Sequence, residues 1–287
     1  MSDRSLKLPG RVSPDLWRGP SGAASRRLRL WLAYDGTEFH GWQRQARDRS
    51  IQGDLETAVA AITGETVSVI AAGRTDAGAH AVGQIAHLDL RTALPVHILR
   101  RALNAELPAA IRVRAAEEAA PGFHARFDAI RRRYEYRFIC APHPLFARFA
   151  WELPREPDAT AIRAALPALL GHRDFAALAR PPEDGSGTEC EMYEARWGRW
   201  QGGPRLILVA NRFLRGMVRT IAGTLVEIGR GRRAPSDLAW LLDTADRAQA
   251  GAAAPAHGLC LRQVSYAPES AVFVHGPARG DVPATPT

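Results

Sequence analysis

Apolar and polar positions alternate over residues 28–34, a pattern that predicts a strand, and the turn-rich Asp35-Gly36-Thr37 ends it. Ser50 then precedes Ile51, Leu55, Val59 and Ile62 at helical spacing, so a helix capped by Ser50 is expected to run through Thr63. Strands are expected over 67–72 and 84–90, a helix over 96–106 and a strand over 111–116. The resulting order, β-α-β-β-α-β, predicts a split βαβ lobe over residues 28–120.

The second half, residues 121–267, echoes that order without a sequence repeat. Tyr134, Tyr136 and Phe138 share one face of a strand expected over 134–140, while Glu135 and Arg137 share the other. A helix over 158–170, strands over 192–200 and 206–210, and a long helix over 213–228 follow. Pro235-Ser236-Asp237 opens a further helix to Leu242, and the last strand is expected over 259–266. Residues 180–191, with Pro181, Pro182, Gly185, Ser186 and Gly187, read as a loop. On the long helix, Phe213, Leu214, Met217, Val218, Ile221, Leu225 and Ile228 form an apolar arc, with Arg212, Arg215 and Arg219 on the other side. The expected fold class is α+β: two split βαβ lobes, RRM- or ferredoxin-like, with antiparallel-rich sheets. Residues 1–27 read as a disordered basic arm and 268–287 as a disordered tail.

Composition narrows the function. A chain of 287 residues with 46% hydrophobic content has ample length for a core. Its formal net charge of +8 suits a polyanionic partner, nucleic acid or an acidic membrane surface. Lys7 is the single lysine; the other cations are arginines, whose planar forks suit phosphate contacts and stacking on bases, although a bias in codon usage accounts for them equally well. Cys140, Cys190 and Cys260 lie far apart, a pattern of neither a disulfide framework nor a zinc site. No run approaches the roughly 20 apolar residues of a membrane span, and residues 1–27 lack the apolar core of a secretion signal. No membrane association and a cytoplasmic setting are expected.

Candidate chemistry centres on Gly73-Arg74-Thr75-Asp76-Ala77-Gly78-Ala79-His80-Ala81, where two glycines and a guanidinium bracket one carboxylate. The glycines permit a tight shape and close approach of a ligand to main chain. In extended geometry Arg74 and Asp76 point to the same side, which favours an ionised Asp76. By composition alone, an ordinary turn with a surface ion pair fits this run better than an active site.

The wider set of motifs reverses that order. Tyr34-Asp35-Gly36-Thr37, Gly41-Trp42-Gln43-Arg44-Gln45, Gln52, the Asp76 loop, Asn104, Asp174-Phe175 and Asn211 resemble, in order, the tRNA pseudouridine synthase A family, and the matches cover nearly the whole body. The resemblance implies that Asp76 is the catalytic nucleophile. It implies that Arg74 fills the space left by a flipped nucleotide, that Tyr134, after Arg132 and Arg133, stacks on the target base, and that Arg219 in Phe213-Leu214-Arg215-Gly216-Met217-Val218-Arg219 pairs with Asp76. Leu259 in Gly258-Leu259-Cys260-Leu261 packs against the bound base. Phe123, His124, Arg126 and Phe127 resemble an RNA-contact stretch, and Arg132 and Arg133 join them as RNA contacts. The implied reaction is isomerisation of uridine to pseudouridine at positions 38, 39 and 40 of the anticodon stem-loop of tRNA, in a basic cleft between the lobes of a homodimer. It breaks the N1–C1′ bond and rejoins the same base through C5, so no cofactor and no metal are expected. The target base must leave its stack to be reached. Asp76 serves either as a nucleophile on carbon or as a base at the sugar.

One departure stands out. Where relatives usually place an arginine in a Thr-x-Arg-x-Ile pattern near the tRNA, Thr188-Glu189-Cys190-Glu191-Met192 puts Cys190. Two rival readings are a non-catalytic RNA-binding protein on the same lobes and a hydrolase using Asp76. Arg74, Asp76, Tyr134 and Arg219 together weigh against the first, and the lack of a second carboxylate or histidine at interpretable spacing weighs against the second.

Overall fold

The structure, a computed structural model, describes residues 24–183 and 185–267. Residues 1–23 of the expected basic arm and the whole expected tail lie outside the described residues. Arg26 and Arg27, expected in the arm, instead open β1 (Arg26–Tyr34). Ion pairs across the sheet extend the strand: Arg27 faces Asp89 in register and holds both its carboxylate oxygens, at 2.7 and 2.6 Å.

α1 (Ile51–Thr63) has the expected bounds because both ends are chemically marked. Ser50 Oγ accepts the amide of Gly53 at 3.2 Å, and Gly64 closes the helix in the left-handed region. Only Ile70–Ala71 of the expected strand over 67–72 pairs as β2, whereas β3 (His80–Leu90) starts four residues before the expected 84. α2 (Val96–Glu106) and β4 (Ile111–Glu118) complete the first half.

The second half runs β5 (Ala129–Ile139), β6 (Trp151–Glu152), α3 (Ala159–Ala165), β7 (Gly171–Asp174), β8 (Glu189–Trp200), β9 (Gly203–Ala210), α4 (Met217–Gly229), α5 (Asp237–Thr244) and β10 (Leu259–Tyr266). The helix expected over 158–170 is shorter. Pro167 has no amide proton to continue it, and the chain tightens into a 3₁₀ turn, Leu166–Leu169. The expected loop over 180–191 gives way at Glu189 to β8, which pairs with β7 and buries Cys190 opposite Arg173. α4 starts four residues after the expected 213, because Gly216 at its N-cap sits at φ +76° and turns the chain out of helical geometry. Phe213 and Leu214 therefore precede the helix.

One mostly antiparallel sheet of ten strands gathers these elements in the order β4-β1-β3-β10-β5-β9-β8-β7, with β2 on β3 and β6 on β5. The fold is mixed α+β. Each half repeats one arrangement, β4-β1-β3-β2 in the first and β10-β5-β9-β8 in the second. The final strand sits between them, parallel to β3 and antiparallel to β5. Tyr134, Tyr136 and Phe138 are buried on one face of β5, and on the other face Glu135 accepts from Arg137 and Arg205.

Candidate active site

The Asp76 loop leaves β2 and returns into β3, and its backbone is held at several points. Gln84, fully buried, donates from Nε2 to Gly73 O at 2.7 Å and to Tyr34 Oη at 3.2 Å. Tyr34 Oη in turn lies 2.9 Å from Thr75 Oγ1, while the amide of Trp42 donates to Thr75 O at 3.0 Å. Gly78, at φ +79°, donates its amide to Phe39 O at 3.1 Å, and the amide of Ala79 closes the turn on Asp76 O at 3.0 Å. A buried hydrogen-bonded frame thus presents one carboxylate, 23% exposed, at its rim.

The cation on that carboxylate is Arg219. Its Nη1 donates to Asp76 Oδ2 at 3.0 Å, and its Nε donates to Ala254 O at 2.7 Å. Arg74, two residues from Asp76, is exposed and is not the partner the extended spacing suggested. The chain leaves the strand after Ala71 and bends at 72–73, so strand spacing does not govern this stretch.

Tyr134 is 6% exposed, with its ring edge-to-face against Phe213 at 5.0 Å. Its hydroxyl borders the loop: a Cβ built on Gly73 would stand 3.7 Å from Tyr134 Oη. Burial raises the Tyr134 phenol well above its ordinary value, and the nearby Asp76 charge adds to the rise. Leu259 is buried across from Tyr136 in the β10–β5 ladder, two pairs away from Leu261 opposite Tyr134. Asp76 and Arg219 therefore meet beside the loop that Tyr134 borders, with Leu259 nearby on β10 opposite Tyr136.

The expected RNA contacts divide. Phe127 is 75% exposed, stacked on His124 at 4.3 Å, with the Arg126 guanidinium 5.6 Å from its ring centre. His124 Nδ1 accepts the amides of Arg126 and Phe127, both at 3.2 Å, which fixes this short loop. Phe123, by contrast, is buried against Tyr266 and His87, under the guanidinium of Arg29. Arg133 is half-buried and paired with Glu194 at 3.0 Å.

Arg132 departs furthest from its expected surface role. It is 8% exposed, and its guanidinium donates to four backbone carbonyls: Ala129 and Asn211 from Nη1, both at 2.6 Å, Ala72 at 3.0 Å and Arg126 at 2.5 Å from Nη2. Those donors are spent within the fold, leaving little for a phosphate. One side chain ties the entry of the Asp76 loop, the Phe127 loop and the segment before α4. Cys190, the departure from the family pattern, is likewise 1% exposed and sits in the core, with burial pushing its thiol up to about 11.

The parts played by Phe213, Gln84 and Tyr34 are not legible in the sequence. Phe213 was taken for part of a helical arc, and only Gly216 hinted that it lies ahead of the helix. Gln84 and Tyr34, each one polar group on an ordinary strand, carried no signal that they brace the loop.

Residues 31–128 and 165–267, together more than half of the chain, match the family model described as tRNA pseudouridine synthase. A protein named tRNA pseudouridine synthase A from Thermus thermophilus is 44% identical over 252 residues, spanning 85% of this chain and 98% of its own length. Proteins of the same name from Chloroflexus aurantiacus (43% identical; 85% of this chain, 90% of theirs) and Sinorhizobium fredii (42%; 84% and 99%) are similar over nearly the same extent.

Proposed function

Because the chain belongs to the tRNA pseudouridine synthase family, isomerases that convert uridine in tRNA to pseudouridine, we propose that Asp76 performs this conversion at positions 38, 39 and 40 of the anticodon stem-loop. The observation that carries the reading is the ion pair between Asp76 and Arg219 at the rim of a braced loop. Arg219 sets a positive charge beside the carboxylate, which is the reacting group whether Asp76 attacks carbon or removes a proton from the sugar.

The remaining residues take roles around that carboxylate. The target nucleotide flips out of the stem-loop, and the exposed Arg74 occupies the space it leaves. Tyr134 stacks on the base, and Leu259 packs against it while it turns. Because Tyr134 is covered by Phe213, stacking requires Phe213 to give way, and Phe213 sits in an irregular segment before α4 rather than in a helix. Arg126 and Phe127 meet the RNA outside the pocket, with His124 and Phe123 supporting them from beneath.

The two halves of the sheet are read as split βαβ lobes, over residues 28–120 and 121–267, flanking a basic central cleft. Their repeated strand order supports this reading. A homodimer lets one tRNA touch both subunits. A tRNA substrate and three cysteines free of disulfides fit a cytoplasmic setting, and no helix among the described residues is long and apolar enough to cross a membrane.

The test is incubation with an unmodified tRNA transcript and mapping of pseudouridine at single-nucleotide resolution. Product at positions 38 to 40, absent with Asp76→Asn, supports both reaction and site; product elsewhere overturns the site. A transcript deuterated at C2′ separates the two roles of Asp76, since only removal of that proton slows with deuterium.

A further inference from the structure

The segment from α5 to β10 crosses α4 and binds it through specific backbone contacts. Thr224 Oγ1 accepts the amide of Gly251 at 3.1 Å. Ala254 and Arg219 exchange two bonds: the amide of Ala254 donates to Arg219 O at 2.9 Å, and Arg219 Nε donates to Ala254 O at 2.7 Å. The next carbonyl, Pro255 O, accepts from Tyr136 Oη at 2.6 Å. Two residues on, His257 O lies 3.1 Å from His80 Nε2, at the exit of the Asp76 loop; a carbonyl only accepts, so this nitrogen carries the proton. The strap 254–257 is thus a junction between the loop that carries Asp76, the arginine paired with it, and a tyrosine on β5.

Tyr136 has no other evident use for its polar atom. Its side chain is fully buried, packed against Phe138 and Trp151, and its hydroxyl is spent on Pro255 O. The fit at Gly258 is equally close, since a Cβ there would stand 2.6 Å from Tyr136 Cζ. Burial raises the phenol far above its ordinary value, so the hydroxyl keeps its proton and remains a donor.

We infer that Tyr136 is a positioning residue for Arg219, acting through the Pro255 and Ala254 carbonyls. A guanidinium is planar, so the bond at Nε fixes the direction in which Nη1 points. Ala254 O receives Nε, and Tyr136 anchors the carbonyl next to it in the chain. Releasing Pro255 O frees the Ala254 carbonyl to turn, and Nη1 loses its aim at Asp76 Oδ2. The inference rests on the reading of Asp76 and Arg219 as the reacting pair.

The experiment compares the full-length protein with Tyr136→Phe, Arg219→Ala and the double variant, in single-turnover pseudouridine formation on an unmodified tRNA transcript, with tRNA affinity measured separately. Tyr136→Phe is expected to lower the rate roughly tenfold, the scale of one lost hydrogen bond, with affinity unchanged. In the Arg219→Ala background it is expected to cost nothing further, an outcome that general loosening of the core does not produce. Thr224→Val, which releases Gly251 three residues ahead of the strap, is expected to show the same pattern and stands in if Tyr136→Phe folds poorly. An unchanged rate in Tyr136→Phe, or losses that add in the double variant, overturns the inference while leaving the Asp76–Arg219 reading in place. Full activity in Arg219→Ala overturns both.

Discussion

Arg219 Nη1 stands 3.0 Å from Asp76 Oδ2, joining α4 of the second half to the loop after β2 of the first, across 143 residues of sequence. Asp76→Asn is nearly isosteric and keeps the loop's backbone bonds, so folding and tRNA binding are expected to persist while pseudouridine formation is lost. Product mapping beside a filter-binding isotherm reads both; an active Asp76→Asn removes the carboxylate from the chemistry.

Removal of the partner acts differently. Arg219→Ala leaves Asp76 without its paired cation and is expected to slow turnover on the order of a hundredfold, the scale of one preorganised donor. Arg74→Ala, with no ion pair to Asp76 to break, is expected to weaken tRNA affinity more than it changes the single-turnover rate. Equal effects of the two variants on rate and affinity would contradict this division.

Arg132 is a structural clamp in this fold. Arg132→Met strands four backbone carbonyls and is expected to cost roughly 3 kcal/mol of stability, after allowing for the buried charge it removes. Arg132→Lys, with three donors and no planar fork, is expected to fall between. Urea unfolding midpoints measure both; a neutral Arg132→Met contradicts the clamp and returns the residue to the RNA-facing set.

His87 makes stability depend on pH. It is 2% exposed, and burial, helped by His124 and Arg27, pushes it down to about 4. The unfolded chain takes up this proton near 6.5 and the folded protein only near 4, so stability is full above about 6.5 and falls by up to about 1.4 kcal/mol per pH unit across that window. Buried His80, also lowered, adds to the same trend. His87→Asn, which still offers an acceptor to the Ala125 amide, is expected to flatten part of the profile. Unfolding midpoints at pH 7 and pH 5 for both proteins check it; parallel curves would exclude His87 as a source.

The net charge of +8 carries its own test. Each phosphate neutralised releases counterions, so the logarithm of tRNA affinity is expected to fall linearly with the logarithm of salt concentration. Arg126→Ala should reduce that slope by about 0.7 to 0.9 if it meets one phosphate. A flat profile would leave the charge unrelated to RNA.

Local chemistry made much of the fold legible. Ser50 and Gly64 bound α1 through caps that any helix of that sequence would use, and the alternation of Tyr134, Tyr136 and Phe138 placed β5. Asp76 itself was legible only through motifs spread over the chain. What could not be read depends on contacts distant in sequence. Spacing alone points to Arg74 as the partner because it is near in the chain; Arg219, which only the family motif indicated, takes that place because α4 and the strap bring it there. Arg132 looked like one of three surface arginines, and nothing local reveals that four carbonyls converge on it.

The last strand has a consequence for how the enzyme comes into being. β10 lies between β3 and β5, so the two halves of the sheet pair only through the strand that follows the other described strands in sequence. While Leu259–Tyr266 is still inside the ribosome, Asp76, Tyr134 and Arg219 have all emerged, but the seam that brings them together is missing. A chain cut before Leu259 therefore keeps these three residues but not the joined sheet. Assembly of the joined sheet waits on pairings across long stretches of sequence, the kind that form slowly. Removal of Leu259–Tyr266 would thus part the two halves of the sheet without removing any of the three residues.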